Sequence, residues 1–294
     1  MTRITIAGGT GTLRDALPGA LAGRGIRVRM LMTDSLPARS ACGGDNIEFM
    51  SVDPEDSGAL RRAFRDTDRA CLWTGAVGGL ARYDLALIDA ALQAGVPYLV
   101  NVAQSATVDG RGYPGYEPQG ETDAYLAARG ALTTLVRPSL SMDRVFAAAR
   151  SFVPRGQWGG SAGSGRVGLV DDRDVVAATA RILLEGEQRH GHKTYRLTGP
   201  AAVTMGYIAD YLSESQGRLI KYRYRTVEEQ RRVYQDAGLT SQVIDRLLVV
   251  ETQIRQGMFA ATTTDVQDLT GLPARSVIAW IREHRADFVP RTAG

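Results

Sequence analysis

Seven short apolar runs, separated by stretches of helical periodicity, constrain this chain more than any other feature of its sequence. They are Ile4 to Ala7, Val28 to Met32, Ile47 to Val52, Ala70 to Trp73, Tyr98 to Val102, Thr133 to Val136 and Thr194 to Leu197. After the first run, Leu13, Ala16, Leu17 and Leu21 recur at helical spacing. Further helices are predicted over Asp56 to Phe64, Tyr83 to Ala94, Glu121 to Arg129, Asp174 to Leu184 and, behind Thr204 as N-cap, Met205 to Ser215. Strands that alternate with helices form a parallel sheet covered on both faces, since parallel neighbours need crossover connections. The expected fold class is therefore α/β, a doubly wound parallel sheet. Beyond Pro138 the pattern changes: Gly156 to Gly168 (GQWGGSAGSGRVG) lacks side chains for a core or a helix and reads as a mobile surface loop. The last third reads as mostly helical, a smaller lobe added to the sheet.

Composition excludes several classes. With 294 residues, 44% hydrophobic and 23% charged, the chain has the make-up of a globular protein with a full core, not of a disordered or low-complexity segment. Its 35 basic and 32 acidic residues balance too evenly for a nucleic-acid partner. The basic stretch from Arg218 to Arg232, with Tyr222 and Tyr224 interleaved, is interrupted by Glu228 and Glu229 and does not change that reading. No run approaches the roughly 18 apolar residues of a membrane span, and MTRITIAGG lacks the regions of a signal peptide, so a cytoplasmic location and no membrane partner are expected. Cys42 and Cys71 make no disulfide framework, and no metal is expected; His190 and His192, in RHGHKT, read as solvated, and His284 as a surface residue.

The chemistry begins at Gly8-Gly9-Thr10-Gly11, between the first strand and the first helix. Glycines at such a turn let backbone N–H groups approach a pyrophosphate, whose charge the positive end of the helix also favours. Gly8 and Gly11 fill the first two glycine positions of a dinucleotide turn, and Arg14 stands at the third. Arg14 suits the phosphate of NADP(H), whereas Asp34 suits the free ribose hydroxyl of NAD(H); the reading prefers NADP(H) and leaves NAD(H) open.

Segments along nearly the whole chain, among them ITIAGGTGTLRDAL, DRACLWTG, LIDAALQAGVPYLV, TTLVRPS and GHKTYRLTGPAAVTMGYIADYLSESQGR, resemble the NmrA-like branch of the atypical short-chain dehydrogenases/reductases. The resemblance implies a Rossmann domain over residues 1–140, with 168–200 returning to it, and a substrate lobe built from 141–167 and 201–294. Within that lobe it implies a helical lid around Val227 to Phe259. Turn and resemblance together assign the cofactor to Gly8, Thr10, Gly11, Thr12, Leu13 and Arg14, with Thr33 and Asp53 after the next strands, and Thr74, Gly75, Val102 and Ala103 further along the sheet. Candidate substrate contacts are Gln104, Ser139, Phe146, Trp158, Tyr234 and Met258, aromatic and adaptable side chains of the kind that line apolar pockets.

The sequence departs from the wider family at its proton donor. Where many of its reductases carry a Tyr-x-x-x-Lys pair and a serine, this chain has Gly115 in the tyrosine slot, Gln119 in the lysine slot, and Ala103 and Gln104 after the fifth strand. Ser105, Tyr113, Tyr116 and Gln119 are the remaining catalytic candidates. The expected activity is NAD(P)H-dependent reduction of a ketone or quinone carbonyl on a bulky, largely apolar substrate, of which an aromatic polyketide is one example, with the oxyanion stabilised by water, by the substrate's own hydroxyl, or by a neighbouring amide or hydroxyl. The alternatives are an NAD(P)-sensing regulatory protein and a redox-neutral cyclase or isomerase on the same fold. The oligomeric state is left open.

Overall fold

The computed structural model describes residues 1–8, 12–23, 25–32, 46–74, 81–103, 118–154 and 158–289. In chain order its elements begin β1 (Thr2–Gly8), α1 (Thr12–Leu21), β2 (Ile26–Met32), β3 (Ile47–Ser51), α2 (Ser57–Ala63), β4 (Arg69–Thr74) and α3 (Ala81–Gln93). They continue with β5 (Leu99–Ala103), α4 (Pro118–Ala128), β6 (Thr133–Pro138), α5 (Met142–Phe152), β7 (Gly159–Gly160), β8 (Arg166–Val167), α6 (Asp172–Glu185) and α7 (Glu187–His190). The remainder is β9 (Thr194–Leu197), β10 (Val203–Thr204), α8 (Met205–Gln216), β11 (Arg223–Tyr224), α9 (Val227–Asp236), α10 (Ser241–Arg255), α11 (Asp265–Thr270) and α12 (Val277–Glu283), closed by a 3-10 turn at Arg285–Phe288. The seven runs read from the sequence are the seven strands of one sheet, ordered β3-β2-β1-β4-β5-β6-β9 with every pair parallel.

Two compact units divide the chain. The first comprises Met1–Pro138, Asp172–Leu197 and Asp265–Leu272 and holds the sheet; the second comprises Ser139–Asp171, Thr198–Thr264 and Pro273–Gly294. In the first, Leu72 and Leu99 of the sheet cluster with Leu60 and Phe64 at α2 and with Leu87, Ile88 and Ala91 of α3. Asp56 starts α2 by accepting the Ala59 N–H at 2.8 Å.

In the second unit Phe146 stacks on Trp280 at 4.5 Å and meets Phe288 edge-on at 5.9 Å. Burying each such ring contributes roughly 1.5–3 kcal/mol, and the ring geometry about 0.5–1.5 kcal/mol more, so burial is the larger part of what holds this cluster. Thr204 caps α8 by accepting the Tyr207 N–H at 3.1 Å, and Gly217 ends that helix in the left-handed region at φ 64°. Thr226 and Glu229 form a reciprocal capping box at the start of α9.

The stretch from Trp158 to Gly168 corrects the expectation of a mobile surface loop. It contributes β7, paired with β11, and β8, paired with β10, and buries Trp158, Ala162 and Val167 in the second unit's core. A Cβ on Gly159 would strike the Arg223 carbonyl oxygen, and one on Gly165 the Ile254 carbonyl oxygen. Glycine stands here so that backbones can touch, a requirement that in sequence looks the same as a request for freedom.

His190 is a second correction. It is buried, not solvated, because the close of α7 turns it into the first unit. Its Nε2–H donates to Glu185 at 3.0 Å, which leaves Nδ1 to accept the Tyr195 hydroxyl at 2.8 Å. The Thr134 hydroxyl donates to the His190 carbonyl at 2.5 Å and itself pairs with the Tyr98 hydroxyl at the same distance. His192 is exposed, and His284, half-buried, stacks on Trp280 at 3.8 Å.

Candidate functional site

The order of the sheet reverses at β1. From there the chain steps outward through β2 to β3, then returns to lay β4 on the other side of β1 and continues through β5 and β6 to β9. In open α/β sheets the carboxyl ends of the strands at such a reversal leave a crevice where ligands bind. Gly8 closes β1 at φ 75°, opposite Trp73 in register. A Cβ at Gly8 would run into the Trp73 carbonyl oxygen, so conformation and clearance both demand glycine. The helix α1 begins at Thr12, four residues on, with its N-terminus at this turn. A glycine without room for a side chain, set before a helix N-terminus at the switch point, fits the pyrophosphate of a dinucleotide.

Thr74 ends β4 and Ala103 ends β5, and the two are register partners. They and Val102 are buried, on β4 beside β1 and on β5 one strand further. Asp53 lies apart from them, exposed beyond β3, with its carboxylate accepting the Glu55 N–H at 2.9 Å to form its own turn. Thr12, Leu13 and Arg14 open α1, and Gln119 lies in the first turn of α4. Thr10, Gly11, Thr33, Gly75, Gln104, Ser105, Tyr113 and Tyr116 lie outside the described residues.

Sequence reasoning missed the polar chain behind Thr74. The Asn101 side-chain amide donates to the Thr74 hydroxyl at 2.9 Å. Arg137, on β6, donates to the Asn101 carbonyl at 3.2 Å and to Asn101 Oδ1 at 3.1 Å, and its other terminal nitrogen pairs with Asp123 of α4. Burial pushes the Asp123 carboxyl up and the Arg137 guanidinium down, and each is the charge that opposes the other's shift. The network fixes the Thr74 hydroxyl at the crevice and pins α4 one helical turn beyond Gln119. Its signal in the sequence is Asn101 and Arg137, each a strongly polar residue inside a largely buried strand, LVNVA and TTLVRP. Cys71 lies fully buried below; burial raises its thiol and excludes it as a nucleophile.

The substrate candidates of the second unit fall into two environments. Phe146 is enclosed in the aromatic cluster, Trp158 meets Tyr222 edge-on at 5.2 Å, and Met258 is partly buried against the same core. The Tyr234 hydroxyl donates to Glu251 at 2.6 Å, and the same carboxylate accepts the Ser161 N–H and hydroxyl, each at 2.6 Å. Burial raises the phenols of Tyr222 and Tyr234, with the Glu251 charge adding to it. Ser139 is buried directly after β6. The segment Val227 to Phe259 consists of α9, α10 and the turn that follows them. Among the described residues no group of His, Cys, Asp or Glu could hold a metal ion, and no helix is long and apolar enough to cross a membrane.

Residues 1–250 match the NmrA-like family. The chain belongs to that family. This NmrA-like protein is 30% identical to the (4-alkanoyl-5-oxo-2,5-dihydrofuran-3-yl)methyl phosphate reductase of Streptomyces griseus, over 98% of this chain and 99% of the relative. It is 25% identical to the NAD(P)H azoreductase of Xenophilus azovorans, over 97% and 99% respectively. Its fold is similar to that of an NADPH-dependent quinone oxidoreductase from Escherichia coli solved with NADPH, with a TM-score of 0.86 and 24% identity, covering 96% of this chain and 99% of the other. The Rossmann-type α/β fold expected of the family is the fold of this NmrA-like chain.

Proposed function

We infer that this chain is an NAD(P)H-dependent oxidoreductase, and we propose that it reduces electron-poor conjugated carbonyl compounds: quinones, unsaturated lactones and aromatic ketones, including those of polyketide type. NADP(H) is the preferred cofactor and NAD(H) the alternative. The observation that carries the reading is the Gly8 turn at the switch point of the sheet, ahead of the α1 N-terminus. The cofactor, when bound, supplies a hydride. The chain's part is to hold it through the turn and α1 and to set the Thr74 hydroxyl through Asn101 and Arg137.

The acceptors named for the relatives support the substrate class. An azo group, a quinone and an acyl furanone each take a hydride into a conjugated, electron-poor π system. The anion left behind is delocalised, so such acceptors ask less of a protein acid than an isolated ketone does. That matches a sequence with glycine in the usual tyrosine slot and glutamine in the lysine slot.

The test is oxidation of NADPH followed by its absorbance, with 1,4-naphthoquinone, an alkanoyl butenolide and a fused aromatic ketone as acceptors. Turnover with at least one of them, and preference for NADPH over NADH, is the expected result. Tight NADPH binding with no turnover on any acceptor would leave a sensing role and overturn the reductase.

A further inference from the structure

A cavity of about 210 Å³ lies at the amino ends of β1, β2 and β3, wholly within the first unit. Arg3, Arg27, Arg29, Asn46 and Glu48 supply its polar lining. Gly8 closes the same β1 strand five residues beyond Arg3, about 16 Å away at the rise of a strand, so the cavity and the glycine turn stand at opposite edges of the sheet. Arg3 and Arg27 are register partners, and Arg29 follows two residues along β2, opposite Glu48. Strand side chains alternate between faces, so the three guanidiniums share one face, the face on which Arg29 meets the end of α2.

Arg29 is the fixed member, with its side chain 9% exposed. Of its five N–H groups, Nε–H donates to Glu48 at 3.1 Å, and the two on Nη1 donate to the Ala63 and Arg65 carbonyls at 2.8 and 3.0 Å. The two on Nη2 have no protein partner among the described residues. The Glu48 carboxylate is 52% exposed, so water shares it and it offsets only part of the buried charge. Arg27 is exposed and makes no ion pair among the described residues. Arg3 uses Nη1 on the Asp66 carbonyl at 3.2 Å and on its well-solvated carboxylate at 3.5 Å, while Asp68 accepts the Arg3 backbone N–H at 2.8 Å. Three guanidiniums therefore line the cavity against one carboxylate, a concave surface of positive sign that concentrates anions.

We propose that this cavity binds a phosphate group. The Nη2 N–H pair of Arg29 donates to it from the buried side, Arg27 closes on it from the solvent side, and the Asn46 amide supplies a further donor. The volume is below the roughly 300 Å³ at which sites for drug-sized ligands begin, so the cavity takes a charged group and not a whole nucleotide. A phosphate gathers several charge-assisted bonds around one compact centre, whereas a dicarboxylate divides its charge between two ends. Free phosphate and a phosphomonoester whose organic part stays outside present the same chemistry. Bound there, either stabilises the first unit by mass action.

The experiment is calorimetric titration of wild type, Arg27→Ala and Arg29→Gln with inorganic phosphate, glycerol 3-phosphate, succinate and chloride at matched ionic strength, with and without saturating NADPH. Wild type should bind phosphate saturably, chloride not at all, and NADPH should leave the phosphate affinity in place. Arg27→Ala should melt with wild type when no anion is present and bind phosphate about tenfold more weakly, the loss of one charge-assisted contact. Arg29→Gln should lose binding altogether; where it fails to fold, Arg27→Ala decides. Tighter binding of glycerol 3-phosphate names a phosphomonoester as the occupant and tighter binding of inorganic phosphate names the free ion, and either result supports the site. No saturable binding of either compound, wild-type affinity in Arg27→Ala, or tighter binding of succinate would overturn the assignment. So would loss of phosphate binding on addition of NADPH, which would move the anion to the Gly8 turn.

Discussion

Arg137, buried on β6, closes an ion pair with Asp123 on α4 while its other terminal nitrogen is held by Asn101 on β5. The two partners are unequally placed: the Arg137 side chain is 8% exposed and that of Asp123 34%. Asp123→Asn leaves a guanidinium without its counter-charge where water does not reach, and should cost about 3 kcal/mol, the low end for breaking a buried pair. Arg137→Met leaves a carboxylate that water can partly serve, and should cost less. Urea unfolding of both variants at neutral pH checks the order, and an equal loss would refute it.

Gly8→Ala tests the crevice itself. The substitution must place a side chain at φ 75° and against the Trp73 carbonyl. Strain of about 1–3 kcal/mol is expected in the turn, and NADPH affinity should fall at least tenfold by fluorescence titration, about 1.4 kcal/mol or more of binding free energy. Unchanged affinity in a folded variant would remove the turn from the cofactor site.

Burial holds the His190 imidazole below its ordinary pKa of 6.5, and the Glu185 partner pulls it part of the way back. In the window between that ordinary value and the lower one in the fold, the unfolded chain binds the extra proton. The stabilising contribution is therefore complete above pH 6.5 and is lost as the pH falls through the window. Melting temperatures at pH 7.5 and pH 5.5 should differ more in wild type than in His190→Gln. A parallel pair of profiles would show that His190 does not carry the acid sensitivity.

Gly165→Ala should destabilise the second unit through the collision with the Ile254 carbonyl, by about 1–3 kcal/mol as for other overpacked sites. Limited proteolysis should then cut first within α9, α10 or the turn from Trp158 to Gly168. Wild-type resistance there would mean that the backbone contact is easily relaxed.

The seven strands and their parallel pairing were legible from residues 1–200 because they depend on neighbours along the chain. A run of apolar residues announces a strand, and Thr204 before a helical pattern announces a cap, whatever the rest of the molecule does. The relations that tertiary structure alone decided join residues far apart in sequence. Thr134 and His190 are 56 positions apart, Asn101 and Arg137 36, and Ser161 and Glu251 90. A polar side chain carries no local mark of whether water or a distant partner will satisfy it. RHGHKT therefore looked like solvent, and the glycines of Gly156 to Gly168 looked like slack. Sequence by itself determined which segments become strands and helices, because periodicity is a property of the chain's own repeat. Which polar groups are paired was decided only when the fold brought distant backbone and side chains within hydrogen-bond reach.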